Sequence, residues 1–159
     1  MFIHLLRHAH AGDPGAWTGP DVARPLSDKG RDQSDRLGRF LAGIHFRPDL
    51  VLTSPRLRAS ETAEIVAGHL RMAVETDDRL AGGVDLPTLD ELLADHGAPR
   101  SSVLVGHDPD FSDLASALCG AELVMRKGAL ARIEADRPLE PGGGILRWLV
   151  PPALLRPGR

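Results

Sequence analysis

Three short segments of this chain put arginine or histidine directly behind an apolar run. Arg7-His8 follows Phe2-Ile3-His4-Leu5-Leu6, Ser54 to Arg58 follows Asp49-Leu50-Val51-Leu52-Thr53, and Gly106-His107 follows Ser101-Ser102-Val103-Leu104-Val105. Guanidinium forks match phosphate oxygens two at a time and stay charged at every working pH. A neutral imidazole can attack phosphorus, and cationic neighbours lower its pKa and keep it unprotonated near pH 7. Two arginines and two histidines gathered at one point therefore suit the chemistry of a tetrahedral oxyanion. No single residue carries this reading. Alone, Arg58 would be a solvated helix residue and His107 a hydrogen-bonded structural histidine. His4 reads as core or edge structure, and His45, His69 and His96 as surface residues near helix ends.

The apolar runs read as strands, and helical stripes separate them. A helix is predicted from Ser27 onward, with Ser27 or Asp28 supplying the N-cap oxygen, to Gly43 at its end, with Leu37, Phe40, Leu41 and Ile44 on one face. Ser54-Pro55 reads as N-cap and first turn of a second helix carrying Ala59, Thr62, Ala63, Val66 and Leu70. Met72-Ala73-Val74 is a weak third strand, Leu86 to Leu93 a third helix, and Asp108-Pro109 the opening of a fourth, with Phe111, Leu114, Ala115 and Leu118 inward. Ala129–Glu134 alternates as a half-buried strand and pairs through Gly142-Gly143-Gly144 with Ile145–Val150. The expected fold is α/β, three layers (α/β/α) around a mostly parallel sheet, with the antiparallel C-terminal hairpin at its edge. Residues 1–150 form one domain on this reading, and 151–159 a frayed tail. In open α/β sheets ligands bind outside the carboxyl ends of the strands, which is where all three segments fall.

Composition narrows the classes. At 159 residues the chain is too short for a (β/α)₈ barrel of roughly 250. Nineteen Lys and Arg against 22 Asp and Glu leave a net charge of −3, which disfavours a nucleic-acid partner. The single cysteine, Cys119, makes no internal disulfide or Cys-based zinc site and suits a reducing cytosol. No apolar stretch approaches 18 residues and the first residues are charged too soon for a signal peptide, so a cytoplasmic protein without a membrane partner is expected.

Taken together, Leu6-Arg7-His8-Ala9, the segment Leu52 to Ala63 and Val103 to Pro109 resemble, in order and spacing, the motifs of the histidine phosphatase superfamily, which includes the phosphoglycerate mutases. The resemblance spans roughly residues 1 to 150. The short chain and Arg24-Pro25-Leu26-Ser27-Asp28-Lys29-Gly30 are similar to its SixA-like phosphohistidine phosphatase branch. It implies that His8 is the nucleophile and transient phosphoryl carrier, that Arg7 and Arg58 clamp the phosphoryl oxygens, and that His107 is a further donor. Arg24 is implied as a rim contact for substrate. Arg58, before Ala59-Ser60-Glu61-Thr62, takes the family position, and Arg56 on the same helix would point about 200° away. Two in-line displacements follow, phosphoryl to His8 and then to water, with no cofactor and no metal. The expected substrate is a phosphorylated protein bearing phosphohistidine or a small phosphorylated metabolite.

One departure bears on the substrate. Many members carry a general acid in a Leu-x-Glu pattern, and here the stretch is Leu80-Ala81-Gly82. An alkoxide leaving group needs a proton in the transition state, whereas imidazole, with a conjugate-acid pKa of about 6.5, leaves more easily. The glycine thus favours phosphohistidine, with Asp78, Asp85 or Asp108 as other sources of a proton. A phosphatase of small metabolites shares every central residue and is the main alternative. Two others are a non-catalytic phosphate-binding module and a metal hydrolase built on His8-Ala9-His10 and Asp13.

Overall fold

In the computed structural model, which describes residues 1–155, one sheet carries six strands: β1 (Phe2–Arg7), β2 (Leu50–Thr53), β3 (Glu75–Thr76), β4 (Ser101–Gly106), β5 (Leu130–Glu134) and β6 (Ile145–Val150). Their order is β3-β2-β4-β1-β5-β6. The first four run parallel, and β5 and β6 are antiparallel to their neighbours, so the hairpin occupies one edge. The four helices are α1 (Asp28–Gly43), α2 (Leu57–Leu70), α3 (Leu86–Asp95) and α4 (Asp110–Cys119).

The strand period of two sorts side chains into two cores. Ile3 and Leu5 of β1 pack with Leu89, Leu92, Leu93, Phe111 and Leu114 under α3 and α4. Leu6 packs on the other face with Leu37, Leu41, Ala63 and Val66 under α1 and α2. Both faces are covered, as an all-parallel segment requires.

Glycine sets two close approaches. A Cβ on Gly30 would lie 2.0 Å from the His10 carbonyl oxygen, so only glycine lets the first turn of α1 rest on the chain leaving β1. A Cβ on Gly106 would meet the Phe111 ring at 2.5 Å, which fixes α4 over the end of β4.

Four expectations shift. α2 starts at Leu57 with Arg56 as its cap residue, not at Ser54-Pro55, because the Ser54 hydroxyl accepts the Arg56 N–H in a turn of its own. The edge pairing falls at Glu75–Thr76, since Met72 and Val74 turn into the core beneath α1 and α2 instead. α4 starts at Asp110, yet Asp108 still accepts from the Ser112 N–H and hydroxyl at 3.3 and 2.9 Å. The tail is ordered further than expected: Pro152–Leu155 forms a 3₁₀ turn, Pro152 is buried, and Leu155 packs on the α1 and α2 core. The rest of that tail, 156–159, lies outside the described residues.

Candidate active site

The three segments meet at the carboxyl ends of β1, β2 and β4 because backbone pairing continues past the strands. The His8 N–H donates to the Gly106 carbonyl at 2.9 Å and the Ser54 N–H to that of Val105 at 2.9 Å. α2 fastens the chain after His8 as well: the Thr62 hydroxyl accepts from the Ala9 N–H at 3.1 Å. Glu61, one residue earlier, accepts from the Leu26 N–H at 2.7 Å and so holds the Arg24 segment.

A cavity of about 360 Å³ opens there, with Arg7, His8, Arg24, Arg56, Arg58 and His107 in its walls. Several concavities are larger, and the two largest lie outside it. One, about 680 Å³, sits at the amino ends of the strands; the other, about 710 Å³, adjoins this cavity beside α1. Size does not mark the chemistry here.

His8 is 6% exposed, and its Nδ1 lies 2.8 Å from the Ala9 carbonyl oxygen. A carbonyl only accepts, so the ring proton is on Nδ1 and the Nε2 lone pair is free. Arg58 Nε–H donates to that lone pair at 3.3 Å. The His8 and His107 rings lie side by side in the cavity, centroids 5.2 Å apart and planes tilted by 54°. Burial first, then the positive fields of Arg58 and Arg7 and the His107 ring, push His8 from 6.5 down to about 3. Burial, followed by the charges of Arg58 and Arg56, takes His107 to about 4. Both imidazoles are therefore neutral near pH 7.

His107 has a partner that spacing did not announce. Its Nε2 lies 2.7 Å from the hydroxyl of Ser54, which is fully buried. That oxygen also accepts from Arg56 N–H, and no other acceptor for its proton occurs among the described residues, so the proton goes to Nε2. The arrangement assigns His107 the Nδ1–H tautomer, and Nδ1 has no hydrogen-bond partner among the described residues. A buried donor without an acceptor is costly, and an anion in the cavity would satisfy it.

The cations are held by fixed acceptors. Arg7 Nη1 donates to the Met125 carbonyl at 2.7 Å and pairs with Asp108 at 3.0 Å. Asp21, in a 3₁₀ turn of the loop after β1, accepts from Arg24, Arg56 and Arg58 at 3.0 to 3.1 Å. Burial alone would raise its carboxyl, but the bonds from Arg24 and Arg58 hold it below the usual range. Arg56 thus turns toward Arg58 and not away from it. The helical angle does not apply to a residue that precedes the helix. Arg24 is only 7% exposed and also donates to the Ala11 carbonyl at 2.8 Å, so it is a buried wall of the cavity and not a loose rim residue.

Ala81 and Gly82 line the cavity wall, with glycine at the position of the Leu-x-Glu acid. Of the three aspartates considered there, Asp108 is at the cavity, while Asp85 caps α3 through the Thr88 N–H and Asp78 begins a 3₁₀ turn. Asp110 also reaches the wall and accepts from the Gly83 and Val84 N–H groups. The His8–His10 pair does not converge: His10 Nδ1 bonds the Ser27 hydroxyl at 2.6 Å, away from Arg58 and His107. No three His, Cys, Asp or Glu side chains gather as metal ligands among the described residues. No helix among the described residues is long and apolar enough to cross a membrane.

Comparison with known proteins agrees with this geometry. Residues 3–82 match the sequence profile of the histidine phosphatase superfamily (branch 1). The chain is 28% identical over 163 residues to phosphohistidine phosphatase SixA of Escherichia coli (strain K12), covering 98% of this chain and 97% of that protein. It is 33% identical over 154 residues to an uncharacterized protein of Picosynechococcus sp., covering 85% and 90%. The solved structure of the protein histidine phosphatase SixA complexed with tungstate superposes with a TM-score of 0.85 at 26% identity, over 98% of this chain and 100% of that one. With its profile match and its full-length relatives, the chain belongs to the histidine phosphatase superfamily (branch 1).

Proposed function

We propose that this protein is a phosphatase that removes the phosphoryl group from phosphohistidine on a protein, through a covalent intermediate on His8. The observation that carries the reading is the unprotonated Nε2 of His8, which meets Arg58 Nε–H at 3.3 Å, with the His107 ring 5.2 Å away across one cavity. In the first displacement a P–N bond forms to His8 Nε2 as the substrate's P–N bond breaks, and the substrate ring, protonated by solvent on its other nitrogen, leaves as neutral imidazole. In the second, water oxygen takes phosphorus, a water proton passes to solvent, and His8 recovers its lone pair. Arg7, Arg58 and the His107 Nδ1–H balance the charge that builds on the equatorial oxygens, the task that Mg²⁺ performs elsewhere. The contact from Arg58 to Nε2 gives way to the phosphoryl group as it enters; such contacts in empty sites are commonly long.

The substrate class is supported by Gly82 in the wall and by the similarity to SixA, a phosphohistidine phosphatase. Asp108 and Asp110, the carboxylates at the cavity, are already engaged by Arg7 and by backbone N–H groups. Asp110 is also what favours the second reading, a metabolite phosphomonoesterase, because an alkyl ester would need such an acid. A cytoplasmic setting belongs to the proposal too, in keeping with a lone free Cys119. Rates on a phosphohistidine peptide and on a simple alkyl phosphate, measured side by side, test the substrate class. The peptide is expected to turn over faster; the reverse order overturns the proposal in favour of the ester reading.

A further inference from the structure

Beside the catalytic cavity runs the larger groove, about 710 Å³, with cationic side chains on two walls and an apolar third. Lys29, Gln33 and Arg36 recur on one face of α1, and Arg126 and Lys127 approach from the loop before β5. The far wall is apolar, Pro151 to Ala153. It is pinned there by Gly128, where an added Cβ would meet the Pro152 ring at 2.9 Å. Arg7 and Lys127 line both the groove and the catalytic cavity, so the two are one continuous surface.

The charge is concentrated against the trend of the chain. The protein as a whole carries −3, yet Asp32 is the only carboxylate lining the groove among the described residues, and it pairs with Arg36 at 2.7 Å. Lys29 and Arg126 are exposed and Lys127 half-buried, and none of the three is in an ion pair among the described residues. Burial first, then the charges of Arg7, Arg24 and Arg58, lower the Lys127 ammonium, and the Asp13 carboxylate opposes them only in part.

We propose that this groove docks an acidic stretch of the phosphorylated polypeptide, next to the phosphohistidine seated in the catalytic cavity. The inference rests on the phosphohistidine reading and adds to it which proteins are favoured. A lone phosphate would use neither the groove's length nor its proline wall, whereas a polypeptide with glutamates or aspartates and an apolar side chain would use both. Charges at a rim of this kind act mainly on encounter rate and its salt dependence.

Two phosphohistidine peptides of equal length test it, one flanked by three glutamates and one by three glutamines, with wild type and the Lys29→Glu/Arg126→Glu variant. At low salt, wild type is expected to favour the glutamate peptide by about tenfold in kcat/KM, the equivalent of three weak ion pairs. The variant loses that preference, as does wild type in high salt, and the two proteins hydrolyse the glutamine peptide alike. Equal rates for both peptides on wild type, or a preference that survives in the variant, overturn the docking proposal and leave the phosphohistidine reading standing. Equal loss on both peptides shows the groove to act through the catalytic cavity, which also overturns it. A selective loss on a small bisphosphate, with none on the glutamate peptide, assigns the groove to a metabolite instead. Hydrolysis of neither peptide by wild type brings down the phosphohistidine reading and the docking with it.

Discussion

His4 and His8 stand at two ends of the same segment and share most of their physics. Both are buried, both have Nδ1 at 2.8 Å from a backbone carbonyl, and both are driven well below 6.5, first by desolvation, to about 4 and about 3. The neighbours differ. His4 lies against the edge of Phe46, with ring centroids 4.7 Å apart, and near Trp148, and its Nε2 has no partner among the described residues. His8 presents Nε2 to Arg58 and to a cavity lined with cations. A buried neutral imidazole is therefore not a reactive one by itself. Access and a surrounding positive field separate a nucleophile from a core residue.

Substitution at each end should separate the two sharply. His8→Ala is expected to lower kcat by at least ~10⁴-fold, as loss of a covalent nucleophile does, with the fold intact by circular dichroism. His4→Ala should leave kcat within about twofold and cost about 2–4 kcal/mol in denaturant unfolding, as truncation of a buried ring does. A His8→Ala enzyme with normal turnover would erase the distinction.

Next in size is Arg58→Lys. The charge stays but the planar fork is lost, so kcat/KM should fall about 100-fold on the same substrate. A near-normal rate would mean that charge alone suffices. Ser54→Ala removes the hydroxyl that assigns the His107 tautomer. Here we expect about a tenfold loss in kcat and a change in the pH profile, partly recovered by Ser54→Thr. A loss of stability with an unchanged profile would make Ser54 structural only.

The smallest effect is on the pH dependence of stability, to which both regions contribute. His4, His8 and His107 have folded-state pKa values below 6.5, so from about 6.5 down to about 4 for His4 and His107, and about 3 for His8, the unfolded chain binds protons that the folded one does not. Their contribution is complete above pH 6.5 and is lost as pH falls through that window. Urea titrations across pH 4 to 7 should show stability declining on the acid side, less steeply in His4→Ala. An unchanged slope in that variant would contradict the burial argument.

Much of this was legible in the sequence, for physical reasons. Strands buried on both faces read as continuous apolar runs, so Arg7, His8 and His107 announced themselves by following one. The stripe of α1 and its Ser27 cap were equally plain, and Ser27 does accept from the Gly30 N–H. Ser54 misled because a hydroxyl that can cap a helix can also hold a turn and reach a histidine, and here it does both. Arg56 precedes the first helical residue, so helical spacing does not give its direction. Asp21 left no trace: it sits in a loop of Pro and Gly with no periodicity, and only folding shows three guanidinium groups turned toward it. The groove beside α1 was invisible for a related cause, since its cations come from a helix face and a loop far apart in the chain.

Rapid acid-free quenching of the enzyme during turnover of a phosphohistidine peptide, followed by peptide mapping under mildly alkaline conditions, tests the central assignment most directly. One phosphoryl group on His8, formed and lost at rates compatible with turnover and absent from His8→Ala, is the predicted result. Turnover at full rate with the phosphoryl group on another residue, or on none, would contradict it.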